Sequence, residues 1–153
     1  MKIFVSSDHA GFSKKNELIE KLEQSKKHNE VYDMGPYILD PDDDYPVYAS
    51  KVGMAVSENH NSMGILVCKS GEGMAIAANK IKGIRAVSAA SEKLAALSRQ
   101  DNDSNVLSLS AKELTSKEIF DIVSIWLGTP FSALARHKRR IEEISQLEEG
   151  KLL

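Results

Sequence analysis

Short apolar runs alternate with amphipathic stretches along the whole chain. Ile3-Phe4-Val5, between Lys2 and Ser7, is an apolar run that Asp8-His9-Ala10-Gly11 breaks, as expected of a buried strand and its closing turn. Phe12 to Gln24 places Leu18, Ile19 and Leu22 on one stripe with lysines and glutamates elsewhere, which predicts a helix. Val31-Tyr32-Asp33 is a second short strand. Gly35, Pro36, Pro41 and the run Asp42-Asp43-Asp44 form a long turn-rich connection, read as solvated, that ends at Tyr45-Pro46. Proline suits the first turn of a helix, and this one carries Val47, Val52, Ala55 and Val56 inward. Ile65 to Cys68 reads as a strand buried on both faces, followed by Lys69-Ser70-Gly71-Glu72-Gly73 and an alanine-rich helix from Met74 to Asn79. Gly83 closes that helix. Ile84 to Ala89 is a fourth strand, and Ser91-Glu92-Lys93 opens a helix to about Arg99. Gln100 to Asn105 is a polar loop, and Val106 to Leu109 a fifth strand. Thr115 with Glu118 forms a capping-box pattern for a helix through Ile119, Ile122, Val123, Trp126 and Leu127, stopped by Gly128-Thr129-Pro130. A last helix begins near Arg136 and ends in a frayed tail from Leu147 to Leu153.

Five strands alternating with helices, with no internal repeat, predict an α/β fold. The expected form is a doubly wound, five-stranded parallel sheet, Rossmann-like, with helices on both faces and a C-terminal helix. The commonest strand order for such a sheet is 2-1-3-4-5, in which strands 1 and 3 are neighbours whose helices leave on opposite sides. The ligand crevice of such a sheet lies where they part. Asp8 and His9 follow strand 1 and Cys68 to Gly73 follow strand 3, so two polar, glycine-marked loops fall at that point.

With 153 residues the chain fits one domain, 1–153, with a substantial core. Its 42% apolar and 27% charged content is that of an ordinary globular protein, and a net charge of −2 argues against a general nucleic-acid binder. No apolar run approaches the ~20 residues that span a bilayer. Met1-Lys-Ile-Phe-Val shows no leader pattern, and one cysteine permits no internal disulfide, so the cytoplasm is the expected compartment.

Strand, glycine loop, helix is an arrangement that aims backbone N–H groups at one spot. Alternate glycines let the backbone approach a ligand closely. The loop is no dinucleotide fingerprint: from Gly71 it runs G-x-G-x-x-I, ending on Ile76, and it follows strand 3. No P-loop pattern occurs. Read locally, a ligand cradle and a plain tight turn are evenly matched. Cys68 taken alone is a small buried hydrophobe, yet its place before a helix N-terminus is expected to lower its pKa and make it a usable base. Asp8-His9 reads either as a capped turn or as site residues, the second favoured by the switch point. Arg136 and Arg140 share one helix face and form a pair able to grip a phosphate; spacing alone leaves a solvated helix as the simpler reading. The acidic run has no matching metal-ligand cluster, and His28 and His60 sit in polar loops without a role.

Taken together, several stretches resemble ribose-5-phosphate isomerase type B, the group that includes the galactose-6-phosphate isomerase subunits. They are Ser7-Asp8-His9-Ala10-Gly11-Phe12, Asp44-Tyr45-Pro46, Cys68 with its glycine loop, Ile76-Ala-Ala-Asn79-Lys80, Gly83-Ile-Arg85-Ala86, Leu97-Ser-Arg99, Asn102-Asp103 with Asn105-Val106, and Arg136-His137 with Arg140. The match runs in order over nearly the whole chain. It implies a metal-free and cofactor-free aldose–ketose isomerase of phosphorylated sugars, working through a cis-enediolate. Cys68 would move the proton between C1 and C2. Amides from Lys69 to Gly73, Gly71 and Glu72 included, and the Ser70 hydroxyl would stabilise the enediolate oxygens. Asp8, His9 and Asn102 would bind the sugar, Tyr45 would line the site, and Arg136, Arg140 and His137 would hold the phosphate. The resemblance also implies a homodimer, or a pair of dimers, with sites shared between subunits and 136–153 reaching a second subunit.

Three departures stand out. Asp101 replaces the histidine that the family assigns to ring opening; an ordinary carboxylate, with pKa near ~4, is a base at neutral pH, so ring opening falls either to Asp101 with a raised pKa or to another group such as His9. Lys69, Ser70 and Glu72 alter the loop, putting a carboxylate in an anion cradle. Ser132-Ala-Leu-Ala135 replaces a glycine pair before Arg136. Ribose 5-phosphate is the leading substrate. A six-carbon aldose phosphate is the alternative, as is a phosphosugar-binding protein disabled by Asp101. A nucleic-acid or signalling module is disfavoured by the charge balance and the Cys68 loop.

Overall fold

The computed structural model describes residues 1–25 and 29–151, so His28 lies outside the described residues. Its strands are β1 (Lys2–Ser7), β2 (Glu30–Asp33), β3 (Ser62–Cys68), β4 (Ala86–Ser88) and β5 (Val106–Ser110). Its helices are α1 (Phe12–Gln24), α2 (Tyr45–Glu58), α3 (Glu72–Ala78), α4 (Glu92–Asn102), α5 (Ser116–Gly128) and α6 (Ala135–Glu148). All strand pairings are parallel. Alternation along each strand splits the core in two. Ile3, Val5, Ile65, Val67, Leu107 and Leu109 face α1, α4 and α5, whose Leu18, Ala95, Ile119 and fully buried Trp126 close that side. Phe4, Leu66, Cys68 and Val106 face α2 and α3 through Val52, Val56, Met74 and Ala78. The doubly wound α/β reading holds, as does the neighbouring of β1 and β3 at the point where the helices part.

The order of the last two strands differs from expectation: the sheet runs β2-β1-β3-β5-β4, not 2-1-3-4-5. Burial explains the exchange. Val106 to Ser110 are all buried, whereas β4 has three residues and only Ala86 is buried. The fully buried strand takes the interior place and the short one the edge. Right-handed crossovers then put α3 on one face, where the chain steps outward to β4, and α4 on the other, where it steps back. The site gains from this, because β5 rather than β4 lies against β3.

Each helix that leaves a strand runs back against it. The carboxyl ends of the strands and the N-termini of α1 to α5 therefore share one edge of the sheet, here called the upper edge. The strand starts and the C-termini of α2, α3, α4 and α5 share the lower edge. α4 runs three residues past Arg99, so Asp101 and Asn102 form its last helical turn rather than a polar loop. Asp103 at φ 47° ends it, with Arg85 and Arg99 both paired to its carboxylate at 3.0 and 2.7 Å. α6 is docked on its own chain at both ends. Ser132 N–H donates to Gln100 O at 3.1 Å near its start, and Glu148 accepts from Gly83 N–H at 3.1 Å at its end. It lies across the lower edge.

The predicted caps are present: Thr115 and Glu118 form a complete capping box. Among the described residues no helix is long and apolar enough to cross a membrane. The turn after β1 presses on β3 so closely that a Cβ on Gly11 would sit 2.1 Å from the Val67 carbonyl oxygen. Gly11→Ala is therefore expected to lower unfolding stability by about 1–3 kcal/mol, the usual cost of overpacking, in chemical denaturation.

Candidate active site

The upper edge brings the loops after β1 and β3 side by side. Ser7 pairs with Val67 in the ladder, and Asp8 N–H continues it to Val67 O at 3.3 Å. The buried Asp8 carboxylate accepts Gly11 N–H at 3.0 Å. Burial raises its pKa above the ordinary carboxylate value, against the Gly11 hydrogen bond and the His9 charge, which lower it.

Cys68 ends β3, and its Sγ accepts the Gly71 N–H at 3.2 Å. Gly71 holds φ at 86°, which a side chain would resist, and an added Cβ would meet Ser88 Oγ at 3.0 Å. The serine hydroxyls of β5 hold the loop from below: Ser108 donates to Gly71 O and Ser110 to Lys69 O. These two serines escaped the sequence reading. Their signal was present, as polar residues at alternate positions of an otherwise apolar strand.

Tyr45, the first residue of α2, stands over Gly73, where a Cβ would lie 3.0 Å from its ring. Lys69, Ser70 and Glu72 are exposed. Glu72 makes no ion pair with Lys69; it sits in the first turn of α3, where a carboxylate complements the helix dipole. Ser70 Oγ accepts Glu72 N–H at 3.4 Å.

The thiol departs from expectation. Its pKa is raised rather than lowered, because burial outweighs the amide donors at Gly71, Met74 and Ser70, and the Asp8 charge adds to the rise. α3 is one short helix of seven residues, and its amides do not offset the loss of water around Sγ.

The acidic run is not uniformly solvated either. The Asp43 side chain is only 3% exposed, and its Oδ1 lies 2.6 Å from His9 Nδ1. That partnership raises the His9 pKa above its ordinary value. Sequence gave no sign of it, since Asp43 looks like its neighbours until the connection folds over the β1 turn.

The other expected site residues lie at the lower edge. Asp101 and Asn102 end α4, and Arg136 and Arg140 are exposed at the start of α6. His137 is buried beside them. Arg136 Nε donates to its Nε2 at 3.1 Å, so the imidazole proton belongs on Nδ1, which faces Ser132 Oγ at 2.8 Å. Asp101 Oδ1 lies 3.7 Å from the same Nδ1. His137 thus links Arg136 to Ser132 at the start of α6. α4 alone is about 16 Å long at 1.5 Å per residue. One chain therefore does not bring the lower-edge group to Cys68. Two hollows, of about 460 and 530 Å³, lie elsewhere, around Arg85 and Arg99 and beneath Tyr37 to Leu39, and neither includes the thiol.

The sequence model of ribose/galactose isomerases matches residues 3–144. The chain belongs to the ribose/galactose isomerase family. It is 43% identical to the probable ribose-5-phosphate isomerase B of Mycoplasma pneumoniae, covering 97% of this chain and 96% of that one. It is 40% identical to ribose-5-phosphate isomerase B of Escherichia coli, with 97% of each covered. The crystal structure of the Mycoplasma genitalium ribose-5-phosphate isomerase B with bound ribulose 5-phosphate superposes with a TM-score of 0.92 at 41% identity, covering 98% of this chain and 97% of that one. This membership makes the chain an aldose–ketose isomerase.

A thiol raised by burial and by Asp8 is alkylated slowly at neutral pH. The iodoacetamide rate of Cys68 is expected to climb with pH to a midpoint above that of a free thiol, ~8.5. Asp8→Asn is expected to move the midpoint down.

Proposed function

We propose that this isomerase interconverts ribose 5-phosphate and ribulose 5-phosphate through a cis-enediolate, with Cys68 carrying the proton between C1 and C2. The observation that supports this best is the seat of the thiol. Sγ sits 3.2 Å from an amide donor, at the lip of a glycine loop on the upper edge, where α/β sheets bind ligands. The ribulose 5-phosphate bound to the Mycoplasma genitalium relative favours a five-carbon sugar.

Removing a proton beside a carbonyl leaves an oxyanion. The Ser70 hydroxyl and the amides of Lys69 to Gly73, including Gly71 and Glu72, would receive it, donors of this type being worth several kcal/mol in a dry site. The thiolate is the basic form, and the burial that raises the thiol pKa limits how much of it exists at neutral pH. Asp8, His9 and Tyr45 would border the sugar.

The lower-edge residues enter from a second copy. A two-fold axis that sets the lower edge of one chain against the upper edge of its partner would bring Asp101, Asn102, Arg136 and Arg140 to the thiol, the arginines taking the phosphate. The C-terminal segment 136–153 would then lie at the interface. Such an isologous homodimer has two equal sites, and pairing two dimers into a tetramer leaves them unchanged.

Cys68→Ala is expected to lower kcat/KM on ribose 5-phosphate by about 10²- to 10⁴-fold with the fold intact by circular dichroism. Full turnover by that variant would remove the base. The same assay with a six-carbon aldose phosphate decides the sugar.

Mixing Cys68→Ala subunits with Arg136→Ala/Arg140→Ala subunits tests the sharing. Random exchange makes half the dimers mixed, each with one intact site, so about a quarter of wild-type activity should return. No recovery after verified exchange would place each site within one chain.

A further inference from the structure

Resting on the isomerase reading above, the geometry points to His9, held by Asp43, as the acid that opens the sugar ring before Cys68 acts. A five-carbon aldose carrying phosphate on O5 can close only through O4, and the closed form has no carbonyl to acidify the C2 proton. Opening needs a proton donor at O4.

Among the described histidines only His9 stands at the upper edge with the thiol. His60 borders the lower-edge hollow. His137 is buried there with both ring nitrogens engaged, by Arg136 and by Ser132. His9 Nε2, by contrast, has no partner among the described residues, and the side chain is 41% exposed.

The pairing with Asp43 is a built one. Asp43 Oδ2 is buried and has no hydrogen-bond partner among the described residues. A carboxylate so placed is costly unless a cation stands beside it. The imidazolium, 2.6 Å from Oδ1, is that cation. Asp8 and Asp40 add to the negative field on His9, and Tyr48 of α2 feels the same Asp43 and Asp40 charges. Asp8 also acts on Cys68, so the acid and the base share one field.

In the step, His9 Nε2–H gives its proton to O4 as the C1–O4 bond breaks and its electron pair goes to O4. The O1 hydroxyl loses its proton to water, and the O1 pair forms the C1=O1 carbonyl. Neutral His9 is reprotonated from water, while Asp43 acts as a positioning residue that keeps the ring oriented and cationic.

Ribulose 5-phosphate has no such ring, which separates the two steps. Deuterium uptake from D₂O at C1 of saturating ribulose 5-phosphate reports enediolate formation alone. In His9→Gln, consumption of ribose 5-phosphate should fall by about 10²-fold or more, and by at least about tenfold more than the exchange falls. Asp43→Asn should slow ribose 5-phosphate consumption by about tenfold and move its high-pH loss to lower pH, because His9 then surrenders its proton earlier. Equal losses in both assays, or no loss on the aldose, would overturn the assignment while leaving the isomerase reading intact. A wild-type protein without either activity would instead overturn the isomerase reading, and this one with it.

Discussion

The carbonyl of Val67 is the point on which the upper edge depends. It accepts Asp8 N–H, which extends the β1–β3 ladder one residue beyond the strands, and it lies where Gly11 would carry a side chain. That contact forces the turn after β1 onto β3 and so fixes Asp8 and His9 beside the residue that follows Val67, the thiol. The remaining order at this edge is supplied by β5. Its serines hold the loop carbonyls of Lys69 and Gly71, while the Gly71 and Glu72 amides turn to Cys68 Sγ and Ser70 Oγ. Apolar burial of β3 on both faces supplies the rigidity, and polar contacts at its end supply the aim.

The lower edge is organised on a different principle. There the ordering elements are charges: Asp103 between Arg85 and Arg99 shapes the end of α4, and His137 with Ser132 fixes the start of α6. Asp101, Asn102 and Arg136 are thus positioned within the chain, although they are a sheet's depth from the thiol. Within each chain this doubly wound fold thus sets the thiol and the arginine pair at opposite edges of its sheet.

The strand–helix alternation was readable because burial on two faces leaves continuous apolar runs, and β3 and β5 are such runs. The cap at Thr115, the start of α2 at Tyr45-Pro46 and the whole of α1 were equally plain, being set by local chemistry. The order of β4 and β5 was harder, since it depends on comparing the burial of two strands, and a run such as Ile84 to Ala89 looks as apolar as Val106 to Leu109. The end of α4 was missed because Asp101 and Asn102 look like loop residues, and the Asp103 that ends the helix is held by Arg99 one turn back and by Arg85 from outside the helix. Asp43 was invisible for a related reason: its partner is thirty-four residues away. The thiol's pKa went the wrong way because sequence shows the helix that would lower it but not the burial that raises it. The residue types of the site were legible; which edge each one occupies was not.

The bond from Arg136 Nε to His137 Nε2 has a further meaning for α6. With its side-on nitrogen occupied, the guanidinium presents its two terminal nitrogens as a flat fork. An arginine prepared in this way selects among negatively charged groups by shape as well as by sign, favouring those with two oxygens in that plane. Lysine, a freely turning point charge, has no equivalent of this division between an anchored flank and a presented tip.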